Sequence, residues 1–382
     1  MAIKHVVDTI KKQLPHLLEM IKKGNNELEK IIKSGDLYGG LEYLWGFDSI
    51  DLSPYDLSDA DPRKIVRFPF STGTIWPDSS KMPKGFDPTE ILERAKHFKG
   101  LGVESLNEQG ITGKGVKIAY IDKPFDIQHI EFADRHIEYF DDLGRPFDYH
   151  GSACISRLMG KNIGIAPDID LLFYPVGNQR YEYIESQVVD GLDAIGDIIS
   201  RVENGEQIRA IGMSSCIDYQ ITLIKDKNRA KIYADRLAEL KKKLEDLGIP
   251  LIDAERFFEN FAYVYKIDPL KDNADIDNYI THSKNWNYRA SVIDADKCIP
   301  LIDTRDGYLH ENLIGCASWS IPQVVGLYCL ALQVNQNLTY QEFAEIAENT
   351  CDKNKHGVKL VNARQLIREV ENRLTTHFQS TQ

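Results

Sequence analysis

Val116-Lys117-Ile118-Ala119-Tyr120-Ile121-Asp122 is the stretch that decides the fold. Thr112-Gly113-Lys114-Gly115 supplies a turn before it, and a short apolar run launched from a turn and closed by a carboxylate reads as a buried strand. Residues 171–176, 208–213 and 249–252 repeat the pattern. Between the later runs, residues 184–202 and 231–247 carry apolar side chains at helical spacing, the second with Lys and Glu on its other face. Strands that alternate with helices predict an α/β protein built on a mostly parallel sheet flanked by helices, because parallel neighbours need a crossover between them.

Working outward, residues 100–382 read as the body of the protein and residues 1–99 as a helical and irregular N-terminal extension. In residues 1–34 the apolar positions Ile3, Val6, Val7, Ile10, Leu14, Leu17, Leu18 and Ile21 recur every three to four, with lysines between them. That is the pattern of an amphipathic helix rather than a secretory leader, so the expected compartment is the cytoplasm. Prolines at 54, 62, 69, 77, 83 and 88 then break the chain into short pieces that lie against the body. The extension is a candidate cap or docking element for a protein partner.

Composition narrows the partners. With 46 basic and 58 acidic side chains the net charge is -12, which repels phosphate backbones and argues against nucleic acid. No apolar run approaches the roughly 20 residues that span a bilayer, so no membrane partner is expected. The cysteines Cys154, Cys216, Cys298, Cys316, Cys329 and Cys351 contain no C-x-x-C pair, so buried free thiols are expected and the spacing writes no metal site.

In a parallel sheet, ligands bind beyond the carboxyl ends of the strands. Asp122 ends its strand there. His150 opens His150-Gly151-Ser152-Ala153, a helix start whose small residues leave the imidazole uncrowded. Ser318 lies in Gly315-Cys316-Ala317-Ser318-Trp319-Ser320-Ile321-Pro322, at the start of a strongly apolar helix. Each residue alone has an ordinary structural role, the carboxylate as a loop hydrogen-bonder and the serine as a helix cap.

Together and in this order the three segments resemble the signature of the subtilisin-like serine peptidases. The family's strand ending Asp-Thr-Gly after Thr-Gly-Lys-Gly-Val resembles residues 112–123, its His-Gly-Thr-His resembles 150–153, and its Gly-Ile-Ala-Pro resembles 164–167. Its Gly-Thr-Ser-Met-Ala-x-Pro segment and the helix after it resemble 316–326, and its Gly-Leu-Val-Asn-Ala is echoed at 359–363. The likeness covers roughly residues 100–370, with separations of 28 residues from Asp122 to His150 and 168 from His150 to Ser318.

The resemblance implies a serine endopeptidase that cleaves a narrow range of proteins or peptides through an acyl-enzyme. Ser318 would be the nucleophile, His150 the base and Asp122 its orienting carboxylate. It also implies peptide binding along Ser214, Ser215 and Cys216, where an extended chain would add as a strand; the same stretch also reads as a plain buried strand. No cofactor is required, and although calcium stabilises many family members, the acidic run 272–277 lacks ligand spacing and reads as solvated.

Several positions depart from the pattern. Lys123-Pro124 stands where the family has Thr-Gly, Ala153 replaces the second His, and Cys316-Ala317 replaces Gly-Thr before the serine. Anchoring on Gly315 would place Ala317 at the nucleophile position; Pro322, in register through Val324 and Gly326, places Ser318 there. The family's oxyanion Asn is missing after residue 252, and Asn260 is the nearest candidate substitute. The alternative reading is therefore a catalytically impaired pseudopeptidase that serves as a binding or regulatory module.

Overall fold

Alternate side chains of the deciding strand part to opposite faces of a sheet, as the two-residue period of extended chain requires. Ile118 and Tyr120 enter one hydrophobic core, and Ala119 and Ile121 enter another. The computed structural model describes residues 51–380 except 142, 178–182, 282–283 and 312–315. The helices expected over 1–34, and the irregular chain up to 50, lie outside the described residues.

The strands in chain order are β1 (Phe70–Ser71), β2 (Lys117–Asp122), β3 (His136–Tyr139), β4 (Asp170–Pro175), β5 (Ile211–Met213), β6 (Leu251–Ile252) and β7 (Phe261–Lys266). They continue as β8 (Tyr279–Thr281), β9 (Ala290–Val292), β10 (Lys297–Pro300), β11 (Tyr308–Glu311), β12 (Asp352–Lys353) and β13 (Lys359–Leu360). The α-helices are α1 (Pro62–Ile65), α2 (Pro88–His97), α3 (Val103–Glu108), α4 (Tyr149–Met159), α5 (Tyr183–Glu203) and α6 (Ile217–Thr222). After them come α7 (Lys227–Asp246), α8 (Ala254–Asn260), α9 (Ala317–Val334), α10 (Tyr340–Asn349) and α11 (Ala363–Ser380).

The central sheet has the order β3-β4-β2-β5-β6, and every pairing in it is parallel. Helices α4, α9 and α11 cover the face that receives Ile118 and Tyr120, while α5, α6 and α7 cover the other. The fold is thus the expected α/β class, a parallel sheet flanked by helices. The expected runs at 208–213 and 249–252 shrink to three and two paired residues in β5 and β6.

Two features were not anticipated. The chain after α8 builds a second sheet, β12-β13-β9-β7-β8, with parallel and antiparallel pairs. Residues 51–99 are also more than a cover: β1 pairs with β11, and β11 pairs with β10, in a small antiparallel sheet. Leu52, Leu57, Ile65, Val66, Phe70 and Ile91 bury together there with Cys298 and Tyr308 of the body.

Helix α9 is apolar and long enough to cross a membrane by length and composition, yet 78% of it is buried inside the protein. It is the central pillar of the core. It packs on α4 and on the segment that follows, where Gly326 leaves room for the Ile165 side chain, which a Cβ there would meet at 2.9 Å. Leu158 on α4 is fully buried in this packing. Leu158→Ala is expected to cost about 2–5 kcal/mol of unfolding free energy, through lost apolar transfer and the cavity left behind, as read by chemical denaturation.

Candidate active site

Strand β2 delivers Asp122 to the carboxyl edge of the sheet, and α4 begins directly above it. Asp148 caps α4 by accepting the His150 backbone N–H at 2.8 Å, while its own N–H donates to the Pro124 carbonyl at 2.8 Å. The helix start is thereby fastened to the loop that leaves β2. Gly151 permits the approach, since a Cβ at that position would lie 2.0 Å from the Lys123 carbonyl oxygen. His150, one residue earlier, is set above Asp122.

The two side chains are hydrogen-bonded, His150 Nδ1 to Asp122 Oδ1 at 2.6 Å. Asp122 Oδ1 also accepts the Lys123 N–H at 2.7 Å, and the Cys154 thiol lies against the same buried carboxylate, whose Oδ2 has no N–H or O–H donor among the described residues. The Asp122 side chain is 3% exposed and the His150 side chain 32%. Burial works against the charge on both groups, but the pairing wins: Asp122 is held below the ordinary carboxylate range by the imidazole and the Lys123 N–H, and His150 is raised above the ordinary imidazole value by the carboxylate.

Ser318 is the second residue of α9, as His150 is of α4. Pro322 has no N–H to give to the Ser318 carbonyl four residues earlier, so that carbonyl is left free by the helix. The buried Cys154 thiol takes it, donating at 3.3 Å, and the same sulfur lies 3.7 Å from His150 Nδ1. The Trp319 ring sits 5.1 Å from the imidazole and 5.9 Å from Tyr149. Serine and imidazole thus belong to one cluster, although among the described residues no hydrogen bond joins them. The Ser318 hydroxyl donates instead to the Ser214 carbonyl at 3.2 Å.

A buried carboxylate anchors the start of α9. Asp294 Oδ2 accepts the Cys316 N–H at 2.8 Å and the Ser320 hydroxyl at 2.7 Å. Burial pushes its pKa up to about 6, against the pull of Lys297. The backbone N–H groups of Ala317 and Ser318 have no acceptor among the described residues. As first-turn donors of an 18-residue helix, they form a partly positive spot beside the Ser318 hydroxyl.

The residues expected to bind an extended peptide have other partners. Ser214 Oγ is 2.5 Å from the Tyr120 hydroxyl, and its carbonyl holds Ser318. The Ser215 carbonyl accepts the Ala254 N–H and the Cys216 carbonyl the Gln220 N–H, because α8 and α6 start at this edge. Asn260 is the last residue of α8. At about 1.5 Å per residue it lies roughly 9 Å along the helix from Ala254, the residue that touches Ser215, and no hydrogen bond links it to Ser318 or His150 among the described residues.

Sequence reasoning passed over Cys154, Trp319, Tyr149 and Asp294. One of these left a signal: Cys154 is four residues after His150, on the same helical face. A second group of potential metal donors, Cys216, Asp218, Asp253 and Glu255, lies at the surface end of the same edge. The Lys241 ammonium already sits among them, 2.6 Å from Asp218 and 3.2 Å from Glu255. All six cysteines are free.

No protein-family model matches the chain, and no curated protein matches it. Among solved structures it is similar to the prenylagaramide maturation protease PagA, at 16% identity and a TM-score of 0.48 over 70% of this chain and 98% of that one. It is similar also to the self-cleaved protease domain of PatA, at 16% identity and a TM-score of 0.47 over 68% of this chain and 98% of that one. A third similar structure is the PatG macrocyclase domain, at 14% identity and a TM-score of 0.46 over 71% of this chain and 95% of that one.

Proposed function

We propose that the chain is a serine hydrolase of the peptidase type, with Ser318 as nucleophile, His150 as general base and Asp122 as its orienting carboxylate. The observation that carries this reading is the 2.6 Å hydrogen bond between His150 Nδ1 and the buried Asp122, made beside the helix whose second residue is Ser318. That bond fixes the proton on Nδ1 and leaves Nε2 as the basic nitrogen. A serine hydroxyl is a weak nucleophile until such a base takes its proton.

In this reading the Ser214 carbonyl is the trigger. A polypeptide whose N–H takes that carbonyl displaces the Ser318 hydroxyl, and rotation about χ1 hands the hydroxyl to His150 Nε2. Attack on the scissile carbonyl creates an oxyanion, which the N–H groups at the start of α9 stabilise in place of an Asn side chain. His150 then protonates the leaving amine, and water releases the acyl group by the same route. With the Ser215 and Cys216 carbonyls already engaged, little main-chain edge remains for generic strand addition, which supports a narrow substrate range read through side chains.

The second reading, a catalytically impaired binding module, draws on one observation: the Ser318 hydroxyl rests on Ser214 rather than on the imidazole. Labelling with a fluorophosphonate probe separates the two. Wild type and Ser320→Ala are expected to label and Ser318→Ala to lose the adduct at that residue, as mapped by mass spectrometry. Folded wild type that stays unlabelled would establish the binding module.

The pH profile of labelling gives a further test. Only the neutral imidazole is a base, and Asp122 raises the His150 pKa, so the rate is expected to climb with pH through a midpoint above the ordinary 6.5. Asp122→Asn removes the carboxylate and leaves burial opposed only by the weaker pull of Asp148, which is expected to move the midpoint below the wild-type value. The same change is expected to slow the plateau rate by on the order of 10³- to 10⁴-fold, measured by stopped-time labelling.

A further inference from the structure

We infer that the cavity between helix α2, the β7–β8 connection and the start of α11 is a binding site for a small oxyanion of the carboxylate or phosphate class, and that the bound ion fastens residues 51–99 to the body. The inference stands without the hydrolase reading.

The cavity has a volume of about 610 Å³. Three segments distant in sequence meet around it. Arg94 comes from the last turn of α2, Asn273 from the chain between β7 and β8, and Arg364 is the second residue of α11. Two of these residues carry three buried nitrogens with no hydrogen-bond partner: Arg94 Nε, Arg94 Nη2 and Asn273 Nδ2. The Arg94 side chain is 23% exposed, which places it at the cavity wall rather than deep in the core.

All three nitrogens can only donate, so the partner they lack is an acceptor. Nε and Nη2 share one edge of the guanidinium, the fork that meets two oxygens of a carboxylate or phosphate side by side. The Asn273 amide cannot turn its nitrogen elsewhere. It is fully buried, its Oδ1 accepts the Lys266 ammonium at 2.6 Å, and its backbone carbonyl accepts the Tyr279 hydroxyl at 2.8 Å. Buried donors without acceptors are costly, and an oxyanion answers these three together.

The protein's own carboxylates do not supply the acceptor. Asp296 Oδ2 stands 3.9 Å from Arg94 Nη2, beyond hydrogen-bonding reach, and it already accepts Lys266 at 2.7 Å while Oδ1 is bound to His310. Three carboxylates line the cavity, and each is turned onto nearby donors. Glu104 accepts the Lys99 N–H at 2.6 Å, Asp272 the Ala274 N–H at 2.8 Å, and Asp352 the side-chain amides of Asn362 and Gln365 at 2.7 and 2.6 Å. His97 is paired with Glu93 at 3.3 Å. Arg364 makes no ion pair among the described residues, and the first turn of its 18-residue helix adds the positive end of the helix dipole.

The test uses the full chain, dialysed into chloride and titrated by calorimetry with inorganic phosphate and, separately, with succinate, against sodium chloride at matched ionic strength. One ion per chain is expected, with a saturable rise in the thermal midpoint and slower amide hydrogen exchange across residues 88–97. Arg94→Lys keeps the charge and loses the fork. Asn273→Asp keeps the acceptor for Lys266 and replaces the unpartnered donor with an oxygen. Each is expected to weaken binding about tenfold or more, with circular dichroism showing the variants folded. Arg364→Gln is expected to weaken it as well, and decides the matter should either of the other variants fail to fold.

Saturable binding of either ion, lost in these variants, upholds the site, and the tighter of the two names the class of the ligand. Phosphate and succinate that act no differently from chloride, or binding that the variants leave unchanged, overturn it.

Discussion

The cleft depends on how closely the start of α4 can approach the end of β2. Gly151 is the residue that allows it, since any side chain there would run into the Lys123 carbonyl. The consequence is carried by neighbours: Asp148 reaches Pro124, His150 reaches Asp122, and Cys154, one turn on, reaches the Ser318 carbonyl. A crowded residue at 151 would move the whole helix, and three separate contacts would fail together. Proximity of backbones, rather than the strength of any one hydrogen bond, holds the arrangement.

Behind this cleft lies an unusual amount of buried charge. Asp296, with a left-handed backbone, receives Lys266 at 2.7 Å and His310 at 2.5 Å, all three out of solvent. Burial would raise the Asp296 carboxyl, but His310 and Lys266 hold it well below the usual range. Glu311 accepts the Tyr149 hydroxyl at 2.7 Å, next to His150 in sequence. Such groups are expensive to bury and more expensive to leave half paired, so they tie the second sheet, the β10–β11 pair and the start of α4 into one unit.

Much of this was legible in the sequence, and for clear reasons. β2 and β4 are long apolar runs between turn signals, and α5 and α7 carry unbroken helical spacing, so the alternation that defines a parallel sheet could be read directly. Asp122, His150 and Ser318 could be placed at element ends because small residues and turns surround them. The second sheet was not legible: its strands are two to six residues long and pair across large sequence separations. Nor could one-dimensional reading show that α6 and α8 begin where a peptide edge was expected, or that the serine hydroxyl would settle on Ser214. Both depend on which backbone groups meet after folding.

The pairing of β1 with β11 bears on how the chain can be processed. A detachable prodomain must leave behind a mature surface that tolerates water. Stripping residues 51–99 would instead bare Cys298 and Tyr308, strand the β10–β11 hairpin without its third member, and remove Arg94 from beside Asp296. Residue 311 is then only seven positions upstream of Ser318. A proteolytic cut within residues 51–99 would therefore leave the two pieces held together by this sheet and its apolar cluster.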